Sequence, residues 1–219
     1  LPNFVFFIAD DLGVYHTSAY GAEWIKTPNI QLLSEEGMKF NRAYVASPSC
    51  APSRAALMTG LMPYKNGIVG NHEKVRNLGV RPLLPILIDL GYEIIWLGKV
   101  GHGPGSYSGN KIKIIKPKGF RPQPEELEEY LANRLDKRPV AIFFGCRYPH
   151  RPWPELDEVR IEPQEVEIPE KTFDTYDVRK EFTRYVEAVE IVDRKLGKIN
   201  KLIKKYLNFS NTVTIFTSD

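Results

Sequence analysis

Four apolar runs limit what this 219-residue chain can fold into: residues 4–9 (Phe-Val-Phe-Phe-Ile-Ala), 92–97, 139–144 and 212–217. Short runs that are apolar at both odd and even positions suit strands buried on both faces of a parallel sheet. Between them lie segments of helical character. Thr27 and Pro28 supply a cap and a first-turn proline for a helix that Gly37 closes. Residues 83–90 form a second helix ended by Gly91, 125–135 a third, and 178–206 a long one with Phe182, Tyr185, Val186, Val189 and Val192 as its apolar stripe. A further strand is expected over 39–46. The stretches 60–81, 101–124 and 151–177, rich in Gly, Pro, Asn or charge, read as loops, and Lys111, Lys113, Lys116 and Lys118 read as a solvated face. Strands alternating with helices predict an α/β fold with a mostly parallel central sheet covered by helices on both faces.

Each strand-like run ends on polar residues, namely Asp10 and Asp11, Lys99, His150 and Asp219. In open α/β sheets ligands bind beyond the carboxyl ends of the strands, so the fold is expected to gather these scattered residues at one edge. Three carboxylates brought together repel unless a counter-charge joins them, and a divalent cation meets that need. An all-oxygen donor set points to Ca²⁺, or Mg²⁺, rather than to zinc.

Composition narrows the function classes. A formal net charge of +3 is too mild to argue for nucleic acid, and no apolar run reaches the length of a membrane span. Two cysteines, Cys50 and Cys146, make no disulfide framework and stand in no C-x-x-C motif. The chain opens directly on a strand-like segment, as a processed chain or one without its leader would. Asn208-Phe209-Ser210 is a glycosylation sequon that hints at export.

The stretch Cys50-Ala51-Pro52-Ser53-Arg54, followed after four residues by Thr59-Gly60, reads as a short helix with Cys50 at its N-terminal mouth, where unpaired N–H groups and a guanidinium favour a thiolate. Together with Asp10-Asp11, Gly98-Lys99-x-x-His102, Pro149-His150 and Ser218-Asp219, it resembles the signature of the type I sulfatases, with motifs nearest heparan N-sulfatase and iduronate sulfatase. The resemblance implies an alkaline-phosphatase-like core. It also implies a sulfuric ester hydrolase in which a formylglycine-generating enzyme oxidises Cys50 to formylglycine, whose hydrated aldehyde is the nucleophile. Arg54 would stabilise that group, Lys99 bind sulfate, His102 contact the formylglycine hydroxyl and His150 contact sulfate near the leaving oxygen. Asp10, Asp11, Asp219 and position 50 would hold the ion, usually Ca²⁺. His72 and Arg151 are candidate substrate contacts, and the substrate class implied is a sulfated small molecule or saccharide, glycosaminoglycan-like. The alternatives are a phosphonate or phosphate monoester hydrolase on the same scaffold, and a protein that only binds sulfated glycans. The family's next metal ligand and a later lysine have no counterpart, so residues 1–219 are expected to be the N-terminal part of a catalytic domain, in a secreted, periplasmic or lysosomal protein.

Overall fold

A computed structural model describes residues 1–71, 73, 81–101 and 112–219. Among them lie strands β1 (Asn3–Asp10), β2 (Glu93–Gly98), β3 (Lys113–Ile115), β4 (Val140–Pro149) and β5 (Thr212–Ser218). The helices are α1 (Pro28–Glu36), α2 (Cys50–Thr59), α3 (Pro63–Asn66), α4 (Leu83–Asp89), α5 (Pro124–Ala132) and α6 (Tyr176–Tyr206). The strands form one sheet in the order β3-β2-β4-β1-β5. β1 runs parallel to β5, and β2 runs parallel to both β3 and β4. The chain divides into two compact units, one of residues 1–10, 42–147 and 200–219, the other of residues 11–41 and 148–199.

The first unit contains the sheet core. Ile8, Ile94, Trp96, Ala141 and Phe143 join Met58 of α2 with Leu84 and Leu87 of α4 in one buried cluster. Strand residues of the opposite parity, including Phe7, Ile95, Leu97, Ile142 and Phe144, are equally buried, so both faces of the sheet are covered. Each such side chain contributes about 1.5–3 kcal/mol by leaving water. Aromatic stacking accompanies the burial, with ring centroids 4.6 Å apart for Phe6–Phe143 and 5.1 Å apart for Phe7–Phe144. Lys205 and Tyr206, at the end of α6, both bond Glu128 of α5.

In the second unit, a carboxylate on α6 caps α1. Asp193 accepts the backbone N–H of Ile30 at 2.8 Å and the side-chain amide of Asn29 at 2.7 Å. The expected cap, Thr27, is the flanking residue but makes no side-chain cap bond. Its hydroxyl accepts the Ser18 N–H instead, at 2.7 Å. Position 197 must be glycine for this arrangement, because a Cβ there would overlap the Asn29 side chain.

The strand expected over 39–46 does not form. It contains the strand-forming residues Phe40, Tyr44 and Val45, but a strand also needs a ladder partner, and the described sheet ends at β3 and β5. Met38, Phe40, Tyr44 and Val45 are exposed in consequence. Among the described residues, an α-helix and a strand appear where loop was expected. α3 is a single turn opened by Pro63 and closed by Gly67 in the left-handed region (φ 78°). β3 pairs with β2 through Lys113, Ile114 and Ile115.

Candidate active site

Cys50 stands at the first turn of α2, as expected, and Gly60 closes the helix at φ 69° with its N–H on Ala56 O. The N-terminal cap comes from outside the helix. The Asn71 side-chain carbonyl accepts the Ala51 N–H at 3.1 Å and the Ser49 hydroxyl at 2.8 Å, and it lies 3.5 Å from Cys50 Sγ. Asn71 thus does the work of an N-cap residue and also lies beside the half-buried thiol.

Arg54, one turn further on, is fully buried and joins the strand ends. Its Nε donates to Asp219 at 2.6 Å and its Nη2 to Asp10 at 3.2 Å, while Nη1 bonds the Lys99 carbonyl and Nη2 also reaches Ala9 O at 3.4 Å. The register of β1 and β5, with Ala9 beside Ser218, makes Asp10 and Asp219 neighbours just beyond the ladder. A planar fork suits this role because it serves several acceptors in fixed directions.

Lys99 reaches the same cluster from two strands away. β4 lies between β2 and β1, yet Lys99 Nζ bonds both carboxylate oxygens of Asp10 at 2.7 Å. Gly145 makes the crossing possible. It pairs with Gly98 across β2 and β4, and a Cβ at 145 would overlap the Lys99 carbonyl and the Val100 nitrogen. Gly145→Ala is therefore expected to cost about 1–3 kcal/mol of stability, read as a lower denaturation midpoint. The larger effect falls on Lys99, whose ammonium should be displaced from Asp10. A variant with wild-type stability would contradict this account of the crossing.

Burial raises the pKa of Asp10. The Lys99 hydrogen bond and the Arg54 charge pull it the other way, and the neighbouring Asp219 charge pushes it up further. The two carboxylates already face two cations, so the charge argument made from the sequence is met in part by the chain itself. Donor spacing still suits an ion. One ligand atom each from Asp10, Cys50 and Asp219 lie within 4.8 Å of one another. Two Ca²⁺–O bonds placed end to end span about 4.6–5.2 Å. An oxygen at position 50 would complete a hard donor set there, whereas a thiol is a softer ligand.

Asp11 and His150 belong to the second unit. Asp11 adopts a left-handed conformation (φ 67°), unusual for a residue with a side chain, and its Oδ2 lies 3.8 Å from His150 Nε2. His150 Nδ1 is 2.6 Å from the Arg151 carbonyl. The Arg151 guanidinium stacks 4.2 Å from the Trp153 ring and lies 3.7 Å from Glu181. Nearby in the same unit, His16 Nδ1 and the Tyr185 hydroxyl are 2.6 Å apart inside an aromatic cluster. Burial lowers the His16 pKa and pushes that of Tyr185 up to about 12. Of the expected site residues, Asp10, Cys50, Arg54, Lys99 and Asp219 come together, and Asp11 pairs with His150. His72 and His102 lie outside the described residues. The cap made by Asn71 and the crossing at Gly145 were not foreseen.

The parallel sheet, with its charged cluster at the strand ends, is an alkaline-phosphatase-like α/β core. Residues 2–119 match the sulfatase family, and the chain belongs to it. An ulvan-active sulfatase of Formosa agariphila is 31% identical over 229 residues, covering 100% of this chain and 44% of its own length. Human N-sulphoglucosamine sulphohydrolase is 24% identical over 251 residues, covering 99% of this chain and 50% of its own. A solved sulfated-sugar complex, described as bound to its substrate D-glucosamine-2-N,6-O-disulfate, superposes with a TM-score of 0.78 at 17% identity, over 99% of this chain and 65% of that one. The chain thus spans about half the length of these curated relatives.

Proposed function

We propose that the protein is a sulfuric ester hydrolase that removes sulfate from a sulfated saccharide, with Cys50 converted to formylglycine by a formylglycine-generating enzyme. The observation that carries this reading is the convergence of Cys50 with Asp10, Asp219 and the Lys99 ammonium at the strand ends. A hydrated aldehyde at position 50 would supply a nucleophilic oxygen and a second hydroxyl able to expel the sulfate it acquires. Asn71 and the α2 backbone orient position 50. Lys99 neutralises charge on the sulfuryl oxygens, and Arg54 holds Asp10, Asp219 and the Lys99 backbone in place around it. His150, turned by its contacts with Asp11 and the Arg151 carbonyl, positions or protonates the leaving oxygen. The resemblance assigns release of the acquired sulfate to His102 and a substrate contact to His72.

Asp10, Asp11, Asp219 and position 50 would hold a Ca²⁺ or Mg²⁺ ion, which when bound supplies positive charge to polarise the reacting oxygens. Chelation is expected to abolish turnover and lower Tm, with added Ca²⁺ restoring both. Full activity in excess chelator would remove the metal from the account.

The saccharide assignment draws on relatives named for ulvan and for sulphoglucosamine. The exposed Arg151 is a cation suited to an acidic sugar. The sequon Asn208-Phe209-Ser210 lies on an exposed turn before β5, in keeping with an exported protein of secreted, periplasmic or lysosomal location. Among the described residues, no helix is long and apolar enough to cross a membrane. Comparing kcat/KM on sulfate and phosphate esters of one aryl alcohol tests the reaction class. The sulfate ester should be the better substrate. Preference for phosphate would make the protein a phosphate or phosphonate monoester hydrolase, and saccharide binding without cleavage of either ester would make it a binding protein.

A further inference from the structure

Arg147 lies two residues beyond Gly145 on β4, on the same face of the strand and at the same end of the sheet as Lys99. Its guanidinium rests 4.5 Å from the ring of Phe120, which is 59% exposed and also carries the Arg121 guanidinium at 5.6 Å. The segment that presents Phe120 and Arg121 continues into Pro122, which packs directly against Gly98. This cationic pair therefore stands beside the turn that delivers Lys99. Arg54, Arg134, Arg138, Arg179 and Arg184 are each paired with a carboxylate, and Arg151 lies 3.7 Å from Glu181. Among the described residues, Arg147 has the aromatic ring and no carboxylate. A half-buried guanidinium held flat by stacking has lost little entropy still to be lost on binding. It offers a fork of N–H donors that matches a carboxylate or a sulfate.

We propose that Arg147, stacked on Phe120, recognises a second anionic group of the substrate, a further sulfate or a carboxylate, and so selects polyanionic saccharides over simple sulfate esters. The inference rests on the sulfatase reading and names a specificity residue within it.

The test measures kcat/KM for wild type, Arg147→Ala and Arg147→Lys on three substrates: an aryl sulfate, a disulfated disaccharide and a monosulfated disaccharide carrying a uronate. Arg147→Ala is expected to lower the preference for an anionic disaccharide over the aryl sulfate by roughly tenfold to a hundredfold, mainly through KM, as loss of a charged hydrogen bond does. Arg147→Lys should recover part of it. The disaccharide that shows the loss identifies the second group. Equal losses on all three substrates, or the same loss produced by Arg151→Ala but not by Arg147→Ala, would overturn the proposal. If wild type cleaves no sulfate ester, the sulfatase reading fails, and calorimetric titration of the two disaccharides still decides the role of Arg147. A Kd raised tenfold or more in Arg147→Ala supports it, and an unchanged Kd ends it.

Discussion

Replacing Arg54 with methionine should cost about 3–5 kcal/mol of stability, the range seen when one partner of a buried ion pair is removed and the other is left behind. Asp10 and Asp219 would lose the guanidinium that faces both, and the Lys99 carbonyl would lose its donor. In a chain of this size that corresponds to a Tm lower by roughly 6–20 °C. Arg54→Lys keeps the charge but not the fork, so it should recover only a fraction of the loss. A methionine variant that melts with wild type would mean that Lys99 alone neutralises the cluster, and the part given to Arg54 would have to be withdrawn.

Cys50→Ala should have the opposite profile. The thiol is half-buried, and Asn71 is its named side-chain partner, so stability should stay within about 0.5 kcal/mol of wild type. Turnover should fall by roughly 10³-fold or more, as when other enzymes lose their nucleophile. Cys50→Ser should be as inactive as alanine, because a serine has one hydroxyl and cannot expel sulfate by re-forming an aldehyde. A serine variant with substantial turnover would show that the hydroxyl alone suffices. Matching melting curves for the three proteins would assign the loss to chemistry rather than to folding.

The apolar runs at 4–9, 92–97 and 139–144 announced β1, β2 and β4 because strands buried on both faces leave a continuous apolar signal, while β5, a half-buried edge strand, was announced by the β-branched residues and phenylalanine of 212–217. Asp10, Lys99 and Asp219 were legible as a group for the same reason, since each follows such a run. What stayed hidden depends on contacts distant in sequence. Residues 39–46 carry strand-forming Phe40, Tyr44 and Val45, but pairing is a property of two segments and, among the described residues, no partner strand takes them up. β3 was missed because lysines flank and interrupt its short run, although Ile112 and Ile114 share one side of it. The capping of α1 by Asp193 links positions 163 residues apart, and that of α2 by Asn71 links positions 20 apart, so neither has a local motif. Gly145 could have been noticed as a glycine following a run of five apolar residues. That the run sits under the Lys99 backbone is a fact of topology alone.

The central claim is that position 50 is converted and that the converted residue drives sulfate ester hydrolysis. Its most direct test is the mass of the peptide containing position 50, taken from protein made in its native host and assayed for sulfate release in the same preparation. Conversion of the thiol to formylglycine removes about 18 Da, a covalent change read without reference to any fold. The account predicts that shift in material that releases sulfate. An unmodified Cys50 in protein that cleaves sulfate esters at full rate would contradict it.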